Sequence, residues 1–352
     1  YVPRGCREAT VEVAGLTRML TVTAIIPNYN HGDKIGRAID SLLSQAVPPD
    51  EIVVIDDAST DDSVKEIERY VDNDSRLRLI RHPENLGAIA AINTGIRNAS
   101  CSHVVFIAAD DVTKPTMIDT LRSALQRYPG ARFACGEVQL INELGIEIGV
   151  RPPSRPSMKV RYFDKSQTMD LFRRIDNFIL TGASLFELSP IREAGELDSK
   201  LGPFADGFLV RQMAFRYGFV FVPEPLAEWH VSNQGLSRSA ALSSARTRQQ
   251  MDAAADAFSR EADCPSWYWP TYQKRWSFAV LRIALKSSGG AEIVEAFAPG
   301  APFARQLFVR LSHYGSVGSF VCLVWAALAY NPTSLSKLFL TWSARKLRPA
   351  KS

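Results

Sequence analysis

The sequence predicts an α/β fold with a mainly parallel sheet flanked by helices, followed by a helical C-terminal extension. Short apolar runs rich in Val and Ile alternate with helical patterns from Leu20 to about Leu140. Polar residues follow directly after three of these runs, and from about Ser239 only helical patterns remain. Strands that alternate with helices form βαβ units, whose sheet is parallel and covered on both faces.

The expected strands are short runs of mostly apolar, β-branched residues. They are Leu20–Pro27, Glu51–Asp56, Leu77–Arg81, His103–Ala108, Phe133–Leu140 and Phe219–Val222. The last of them ends in Pro223. A Pro-rich connection at Arg151–Pro156 breaks the alternation of strands and helices.

The expected helices carry apolar residues at helical spacing. They are Lys34–Val47, Asp61–Val71, Ala88–Ala99, Pro115–Tyr128, Asp164–Ile175, Ala205–Tyr217, Ala240–Ala262, Trp269–Ser288 and Ala301–His313. Acidic residues in the first turn favour the start of the second helix, and Pro115 suits the first position of the fourth.

A chain of 352 residues is too long for one small domain. The expected units are a leader over residues 1–18, an α/β domain over residues 19–238 with halves 19–128 and 129–238, and a helical region over residues 239–352. The leader is expected to be poorly ordered and to lie upstream of a natural start at Met19. It has no long apolar stretch, so it does not predict a secretory signal.

Composition narrows the class of protein. Hydrophobic residues make up 46% of the chain and charged residues 22%, which excludes a disordered, collagen-like or coiled-coil chain. The five cysteines are scattered and form no CxxC pair, so neither a disulfide framework nor a zinc knuckle is indicated. Reduced thiols predict a cytoplasmic location. Basic residues are not interleaved with a recognition fold, so no nucleic-acid partner is expected.

Three polar segments follow strands, at the edge of a parallel sheet where ligands bind. The segment PNYN begins at Pro27 and places Tyr29 where its ring could stack on a planar base. The segment DDASTD begins at Asp56, where a carboxylate can accept from a base N–H or a ribose hydroxyl. An ordinary turn and a helix cap are the alternatives for these two segments.

The third segment, AADD, ends in Asp110 and Asp111. Adjacent carboxylates repel each other, and a divalent cation held together with substrate phosphates is the usual way to offset this repulsion. A helix N-terminus is the alternative, since Pro115 follows shortly. The first strand is not followed by GxGxxG, and GxxxxGK[ST] does not occur, so dinucleotide and P-loop sites are weakly supported.

In this order, the segments IIPNYN, VVIDDASTDDS, ENLGAIAAINTGI and FIAADDVTKP resemble the nucleotide-sugar-binding half of a family 2 glycosyltransferase with the GT-A fold. The resemblance runs from about Thr21 to Ser237 and is more specific in its first half. It implies an inverting transferase that moves a sugar from a nucleoside diphosphate donor, UDP by default, to an acceptor hydroxyl. Polysaccharide or glycolipid synthesis, with a saccharide or lipid-linked acceptor, suits this reaction.

The resemblance also implies roles for single residues. Those implied at the donor site are Pro27, Tyr29, Asn30, Asp56, Asp57, Asn85, Gly87 and Asp110. Asp110 and Asp111 match the end of the family's DxD-type motif, which holds ribose and a divalent metal, Mn²⁺ or Mg²⁺. Thr181–Glu187 resembles the strand before the acceptor loop, and Asp206 matches the catalytic base. His230 falls where the family usually has Arg and could contact the diphosphate or the metal, with a structurally satisfied histidine as the alternative.

Two departures from the family's pattern leave another reading open. Many members have carboxylates where this chain has Ala108 and Ala205. A catalytically degenerate nucleotide-sugar-binding protein is therefore the alternative. A nucleotidyltransferase is disfavoured, because its first-strand loop is usually Gly-rich and basic and the loop NYNHGDK has one Gly and one Lys.

The C-terminal segment concentrates the positive charge of the chain. Residues 301–352 hold seven Lys/Arg and no Asp/Glu, while the whole chain has a net charge of +4. Within the segment, Val317–Tyr330 is an uncharged run that is short for a membrane span of about 20 residues. A packed helix, contact with an anionic membrane surface and a true span all remain open. Membrane contact would place the protein on the inner face of the cytoplasmic membrane.

Overall fold

A single mixed sheet of ten strands forms the centre of the computed structural model, which describes residues 20–231, 243–287 and 290–330. The strands are β1 (Val22–Asn28), β2 (Glu51–Asp56), β3 (Leu77–Arg81), β4 (His103–Phe106), β5 (Val112–Thr113), β6 (Phe133–Ile141), β7 (Glu147–Arg151), β8 (Arg161–Phe163), β9 (Ser184–Glu187) and β10 (Phe219–His230). The expected leader lies outside the described residues, as do the basic residues after Tyr330.

The strand order is β3-β2-β1-β4-β9-β6-β10-β5, with β7 paired to β6 and β8 paired to β10. The first four strands of this order are parallel, which confirms the α/β fold expected from the alternating patterns. β9 runs antiparallel between β4 and β6, and β6 and β10 are again parallel. The carboxyl ends of β1, β2, β3 and β4 therefore meet at one edge of the sheet.

Helices cover both faces of the sheet. They are α1 (Ile35–Leu43), α2 (Ser63–Val71), α3 (Ala88–Asn98), α4 (Met117–Arg127), α5 (Lys165–Arg174), α6 (Leu188–Glu193), α7 (Ala205–Tyr217), α8 (Ser244–Arg260), α9 (Tyr268–Ala284), α10 (Ala291–Phe297), α11 (Pro302–Ser312) and α12 (Gly315–Tyr330). Buried apolar residues of α1, α2 and α4 pack on one face, and those of α3, α5, α6 and α7 pack on the other.

The expected end of the last strand is wrong, because β10 continues through Pro223 and Pro225 to His230. Its pairing with β6 shifts register on both sides of Pro225, so the prolines lie at irregular points of the ladder where a missing N–H is tolerated. The added length matters for the site. It lets Glu228 pair with Val112 of β5, directly after the two adjacent aspartates.

Several expected helix boundaries also differ from the structure, among them the end of the first helix and the start of the fourth. The first helix ends at Leu43 rather than Val47, because the amide of Ala46 donates to the carbonyl of Pro115 (2.8 Å) and two prolines follow. Pro115 does not open α4. The amide of Met117 closes a turn on the carbonyl of Lys114 (3.0 Å), and the helix begins at Met117.

The helices after residue 243 form an extension that shares part of the domain's core. Phe258 and Tyr272 pack in the same apolar cluster as Phe204, which precedes α7. A separate cluster joins α9–α12, and α12 contributes Cys322 and Ala326 to it. The run Val317–Tyr330 is thus a helix packed on one side. Within the described ranges, no helix is both long and apolar enough to cross a membrane.

Candidate active site

The ends of β1 and β2 are joined by side chains that the sequence places directly after the two strands. Asn28 pairs in register with Asp56, and its Nδ2 donates to Oδ1 of Asp56 (2.9 Å) and to Oγ of Ser59 (3.2 Å). Oδ2 of Asp56 accepts the amide of Ser59 (3.0 Å). These contacts support Ala58 at φ 60°, a backbone angle that side chains other than glycine rarely adopt. The predicted donor-site residue Asp56 is therefore buried and shapes the turn.

The loop after β1 is fixed against the same turn. Oδ1 of Asn30 accepts the amide of Thr60 (2.8 Å), while the amide of Asn30 donates to Oγ of Ser59 (2.9 Å). Tyr29 lies between these anchored positions with 43% of its surface exposed. Pro27 is the last β1 residue before Asn28. A rigid loop with an exposed ring provides a stacking surface for a planar base.

Asp57 organises the loop after β3. Its Oδ1 lies 2.7 Å from Nδ1 of His82 and accepts the amide of Leu86 (2.9 Å), and its Oδ2 accepts the amide of Gly87 (2.7 Å). A carboxylate offers about four lone-pair positions, so one position on Oδ2 remains for a ligand. The structure thus brings Asp57 and Gly87 together, and Asn85 is exposed in the same loop.

His82 was not among the residues expected from the sequence. It directly follows β3, and its Nε2 lies 3.0 Å from Oγ1 of Thr94 on α3. Because a carboxylate can only accept, Nδ1 of His82 donates to Asp57. The available signal was its position, since a polar residue at the carboxyl end of a parallel strand faces the ligand-binding edge.

Asp110 and Asp111 leave β4 and lead into β5. Oδ1 of Asp111 accepts the backbone amide of His230 (3.0 Å), so the far end of β10 meets the predicted metal-binding pair. Burial and the neighbouring charge of Asp110 raise the pKa of Asp111 to about 7. A raised carboxyl pKa means that negative charge in this position is not fully compensated.

His230 contributes an imidazole beside these carboxylates. Its Nε2 is buried and has no hydrogen-bond partner among the described residues, and it lies 3.7 Å from Oε2 of Glu228. Burial and the positive charge of Arg37 lower the pKa of His230. Glu228 also pairs with Nζ of Lys114. In the neutral tautomer that carries its proton on Nδ1, Nε2 can accept a hydrogen bond or ligate a metal.

The donor set fits a hard divalent cation only in part. Within residues 20–231, 243–287 and 290–330, no three His, Cys, Asp or Glu side chains are placed to hold a metal ion. Asp110 and Asp111 supply adjacent carboxylates, and Mg²⁺-type cations are commonly held by one or two carboxylates with substrate phosphates completing the shell. The residues therefore suit a metal that binds together with a diphosphate.

Asp206 lies in the first turn of α7. Its Oδ2 accepts the hydroxyl of Thr181 (3.1 Å), and its Oδ1 accepts the amide of Gly207 (2.6 Å). Burial raises the pKa of Asp206 above its ordinary value. Thr181 belongs to a 3₁₀ turn against β4, where a Cβ placed on Gly182 would lie 4.0 Å from the carbonyl of Phe106. The predicted base Asp206 is therefore held, through Thr181, near the carboxyl end of β4, and the segment after β4 leads to Asp110.

A buried network behind Asp206 was not predicted. The guanidinium of Arg211 donates to the carbonyl of Gly207 (2.5 Å), the hydroxyl of Tyr268 (2.6 Å) and Oδ1 of Asp176 (2.8 Å). Oδ2 of Asp176 accepts from Tyr268 (2.9 Å) and from Arg275 (3.1 Å). The network ties the first turn of α7 to α9 of the extension.

A shallow depression of about 490 Å³ lies elsewhere, at the amino ends of β6 and β10. Its lining includes Arg132, Lys165 and Arg216. Each of these cations is paired with a carboxylate, so the depression does not present free positive charge to an anion.

A four-stranded parallel half-sheet, carboxylates at its ligand-binding edge and a carboxylate in the first turn of α7 define a glycosyltransferase-like α/β domain. Residues 23–184, a little under half of the chain, match the model of Glycosyl transferase family 2. The match includes the β1, β2 and β4 segments on which the resemblance was based and ends before Asp206.

Curated relatives agree with this family. The chain is 42% identical over 100 residues to the uncharacterized glycosyltransferase YibD of Escherichia coli, an alignment that covers 28% of this chain and 29% of that protein. It is 33% identical over 98 residues to the putative teichuronic acid biosynthesis glycosyltransferase TuaG of Bacillus subtilis, covering 28% and 39%. The chain spans less than half the length of these relatives.

Solved structures confirm the fold over most of the chain. S. aureus TarS in complex with UDP-GlcNAc aligns with a TM-score of 0.59 at 14% identity and covers 89% of this chain and 92% of that one. The mannosyltransferase PcManGT from Pyrobaculum calidifontis, in complex with GDP-Man and Mn²⁺, aligns with a TM-score of 0.54 at 19% identity, covering 89% and 86%. At these identities the likeness establishes the fold alone, which is the predicted GT-A architecture with a helical extension.

Proposed function

We propose that the protein transfers a sugar from a nucleoside diphosphate donor to an acceptor hydroxyl, with inversion at the anomeric carbon. The observation that carries this proposal is the position of Asp206, whose carboxylate is oriented by Thr181 against the strand that leads to Asp110 and Asp111. A group that can take a proton and a group that can hold a diphosphate thus belong to the same edge of the sheet.

The nucleoside would bind between the loops after β1 and β3. The exposed ring of Tyr29 is placed to stack on the base, and the remaining lone pair of Asp57 is placed to accept from a base N–H. UDP is the proposed nucleotide because these positions match those that bind uracil in the family. Asp110 is proposed to bind ribose, with Pro27, Asn30, Asn85 and Gly87 lining the pocket.

Asp110 and Asp111 would hold a divalent cation such as Mn²⁺ or Mg²⁺, and the imidazole of His230 is proposed as a further ligand to the cation or the diphosphate. When bound there, the cation supplies charge stabilisation to the leaving diphosphate. Asp111 is itself oriented by the amide of His230 (3.0 Å). A fixed carboxylate needs little reorganisation when it binds charge, which favours binding of the donor in one pose.

Asp206 is the proposed general base. The acceptor oxygen forms a bond to the anomeric carbon, its proton passes to the carboxylate of Asp206, and the bond from that carbon to the diphosphate oxygen breaks. Attack from the face opposite the leaving group inverts the centre, so no covalent intermediate is needed. The product nucleoside diphosphate leaves with the electron pair of the broken bond.

Polysaccharide or glycolipid synthesis in the cytoplasm is the proposed context, with a saccharide or lipid-linked acceptor. TuaG, a partial relative, is named as a putative teichuronic acid biosynthesis glycosyltransferase. A non-catalytic nucleotide-sugar binder is the competing function, and it is favoured by Ala108 and by the buried Ala205, which replace carboxylates at the two halves of the site.

Calorimetry tests the donor site. UDP, GDP and dTDP are titrated into the wild type, Asp111→Ala and the exposed control Asp252→Ala, with and without Mn²⁺ or Mg²⁺. We expect metal-dependent binding of UDP that is lost in Asp111→Ala and kept in Asp252→Ala. Release of UDP from UDP-sugars in the presence of acceptors then separates an enzyme from a binder. Absence of nucleotide binding with every metal would contradict both functions.

A further inference from the structure

The outer sides of α11 and α12 concentrate the exposed apolar side chains of the described residues. We call this set the apolar face. It consists of Phe303, Leu307, Tyr314, Val317, Phe320, Val321, Val324 and Leu328. Phe320 is 66% exposed and Leu328 is 65% exposed. Exposed apolar side chains are rarely concentrated in this way on soluble monomers, and such a concentration marks an interaction surface.

The packing of α12 fixes which side faces outward. Gly318, Cys322 and Ala326 are buried, and they recur at four-residue spacing on one side of the helix. A Cβ on Gly318 would lie 1.9 Å from the carbonyl of Leu311, so α12 approaches the end of α11 at backbone contact. This contact prevents α12 from turning its apolar face inward.

The segment that carries the apolar face has charge of one sign only. Arg305 and Arg310 are exposed on α11, and residues 301–330 contain no acidic side chain. The sequence continues after Tyr330 with five basic residues and again no acidic one. They are Lys337, Arg345, Lys346, Arg348 and Lys351. An apolar surface on a segment whose charged side chains are all basic is complementary to an anionic lipid bilayer.

We propose that the apolar face docks this protein onto an anionic lipid bilayer. α12 has 16 residues, or roughly 24 Å at 1.5 Å per residue, which is shorter than the ~30 Å hydrocarbon core. The helix therefore lies in the interface with its apolar side toward the acyl chains, and the basic side chains contact lipid phosphates. A second copy of the chain is disfavoured as the partner, because it would bring two positively charged segments together. The proposal is independent of the transfer reaction.

Vesicle sedimentation tests the proposal with the full chain. The probes are vesicles of phosphatidylcholine alone and vesicles that also contain phosphatidylglycerol. We expect binding to the phosphatidylglycerol vesicles to be stronger by about tenfold or more, and to weaken as NaCl is raised. The variant Phe320→Ser/Val324→Ser should bind at least about tenfold more weakly, since it removes apolar area that the bilayer would cover.

The matched control is Ile146→Ser/Ile148→Ser at the start of β7. Ile146 precedes the strand and is 56% exposed, and Ile148 lies on it and is 55% exposed; both lie outside the basic segment. It should bind like the wild type, and circular dichroism should show unchanged folding for both double variants. A third variant replaces the five basic residues after Tyr330 with Ser and should lose the preference for phosphatidylglycerol.

Three outcomes would overturn the proposal. The first is no sedimentation of the wild type with phosphatidylglycerol vesicles at low salt. The second is equal binding by the wild type and Phe320→Ser/Val324→Ser, with light scattering showing an oligomer that this variant dissociates, which would assign the face to a second copy. The third is stronger vesicle binding after the basic residues are replaced, which would mean that residues 331–352 cover the face.

Discussion

The guanidinium carbon of Arg211 lies 4.2 Å from the ring centroid of Tyr272, and this contact joins the helix that carries Asp206 to the C-terminal extension. Arg211 is buried on α7 and Tyr272 is buried on α9. The same guanidinium donates to the carbonyl of Gly207, next to the proposed base. The extension therefore helps to hold the first turn of α7 in place.

Replacing Arg211 should destabilise the whole fold. In Arg211→Met the carbonyl of Gly207 and one oxygen of Asp176 lose a buried donor, so the free energy of unfolding should fall by about 3 kcal/mol. Urea denaturation followed by circular dichroism measures this change. The control is Arg69→Met, which breaks an exposed pair with Glu66 and should cost less than about 1 kcal/mol. Equal costs for the two variants would contradict the structural role of the network.

Asp206→Asn should abolish sugar transfer and leave UDP affinity nearly unchanged. Burial raises the pKa of Asp206, so the folded state holds its proton more tightly than the unfolded state does. At neutral pH the ionised carboxylate therefore disfavours folding, and a neutral Asn removes this cost while its amide can still meet Thr181 and Gly207. Thermal denaturation should show an equal or higher Tm. Loss of transfer together with a lower Tm and weaker UDP binding would indicate a structural role.

Thr181→Val should shift the acid limb of the pH–rate profile upward. The base must be ionised to act, so the rate falls as pH drops through the pKa of Asp206. Burial raises the pKa of Asp206. The hydroxyl of Thr181 donates to the ionised carboxylate and so lowers the same pKa. Its removal should move the limb to higher pH, as measured by kcat/KM for transfer. Thr181→Ser keeps the donor and should leave the limb in place, and an unmoved limb in Thr181→Val would argue against Asp206 as the base.

The parts of the fold that the sequence predicted are those encoded locally. β2 is buried at all six positions, and its run EIVVID predicts a buried strand without knowledge of the adjacent strands. β5 has two residues and β8 has three, and both are defined by pairing with β10, which lies far away in the sequence. Because pairing between distant segments is not visible in the sequence, the end expected for the last strand at Pro223 is too early. A proline normally ends a central strand, and only the register shifts against β6 show why it does not here.

The candidate site also has residues whose position the sequence predicted and residues whose position it did not. Asp57 and Asp110 were identifiable because each follows an apolar run, and parallel topology brings such positions to one edge. Asp176, Arg211 and Tyr268 come from separate segments, so no local spacing links them. His230 was expected to act through its ring, yet the structure also gives its backbone amide a contact with Asp111. This backbone contact depends on the pairing of β5 with β10, so the types of residue in the sequence do not indicate it.

His82 should control nucleotide affinity through Asp57. Its Nδ1 lies 2.7 Å from Oδ1 of Asp57, and the same carboxylate holds the amides of Leu86 and Gly87. In His82→Ala the carboxylate loses one of its three donors and the loop loses part of its anchor. UDP affinity should fall by about tenfold, which corresponds to about 1.4 kcal/mol, while kcat changes much less.

Two further variants separate this effect from a general loss of structure. His82→Asn keeps an N–H donor near the position of Nδ1 and should retain most of the affinity for UDP, as measured by calorimetry. His313→Ala replaces an exposed histidine of the extension and should bind UDP like the wild type. Asp57 is buried, and its carboxylate faces the loop that ends at Gly87. A small rotation of that carboxylate would therefore redirect the lone pair that is proposed to accept from the nucleobase. Equal UDP affinity in His82→Ala and the wild type would show that Asp57 keeps its orientation without the imidazole.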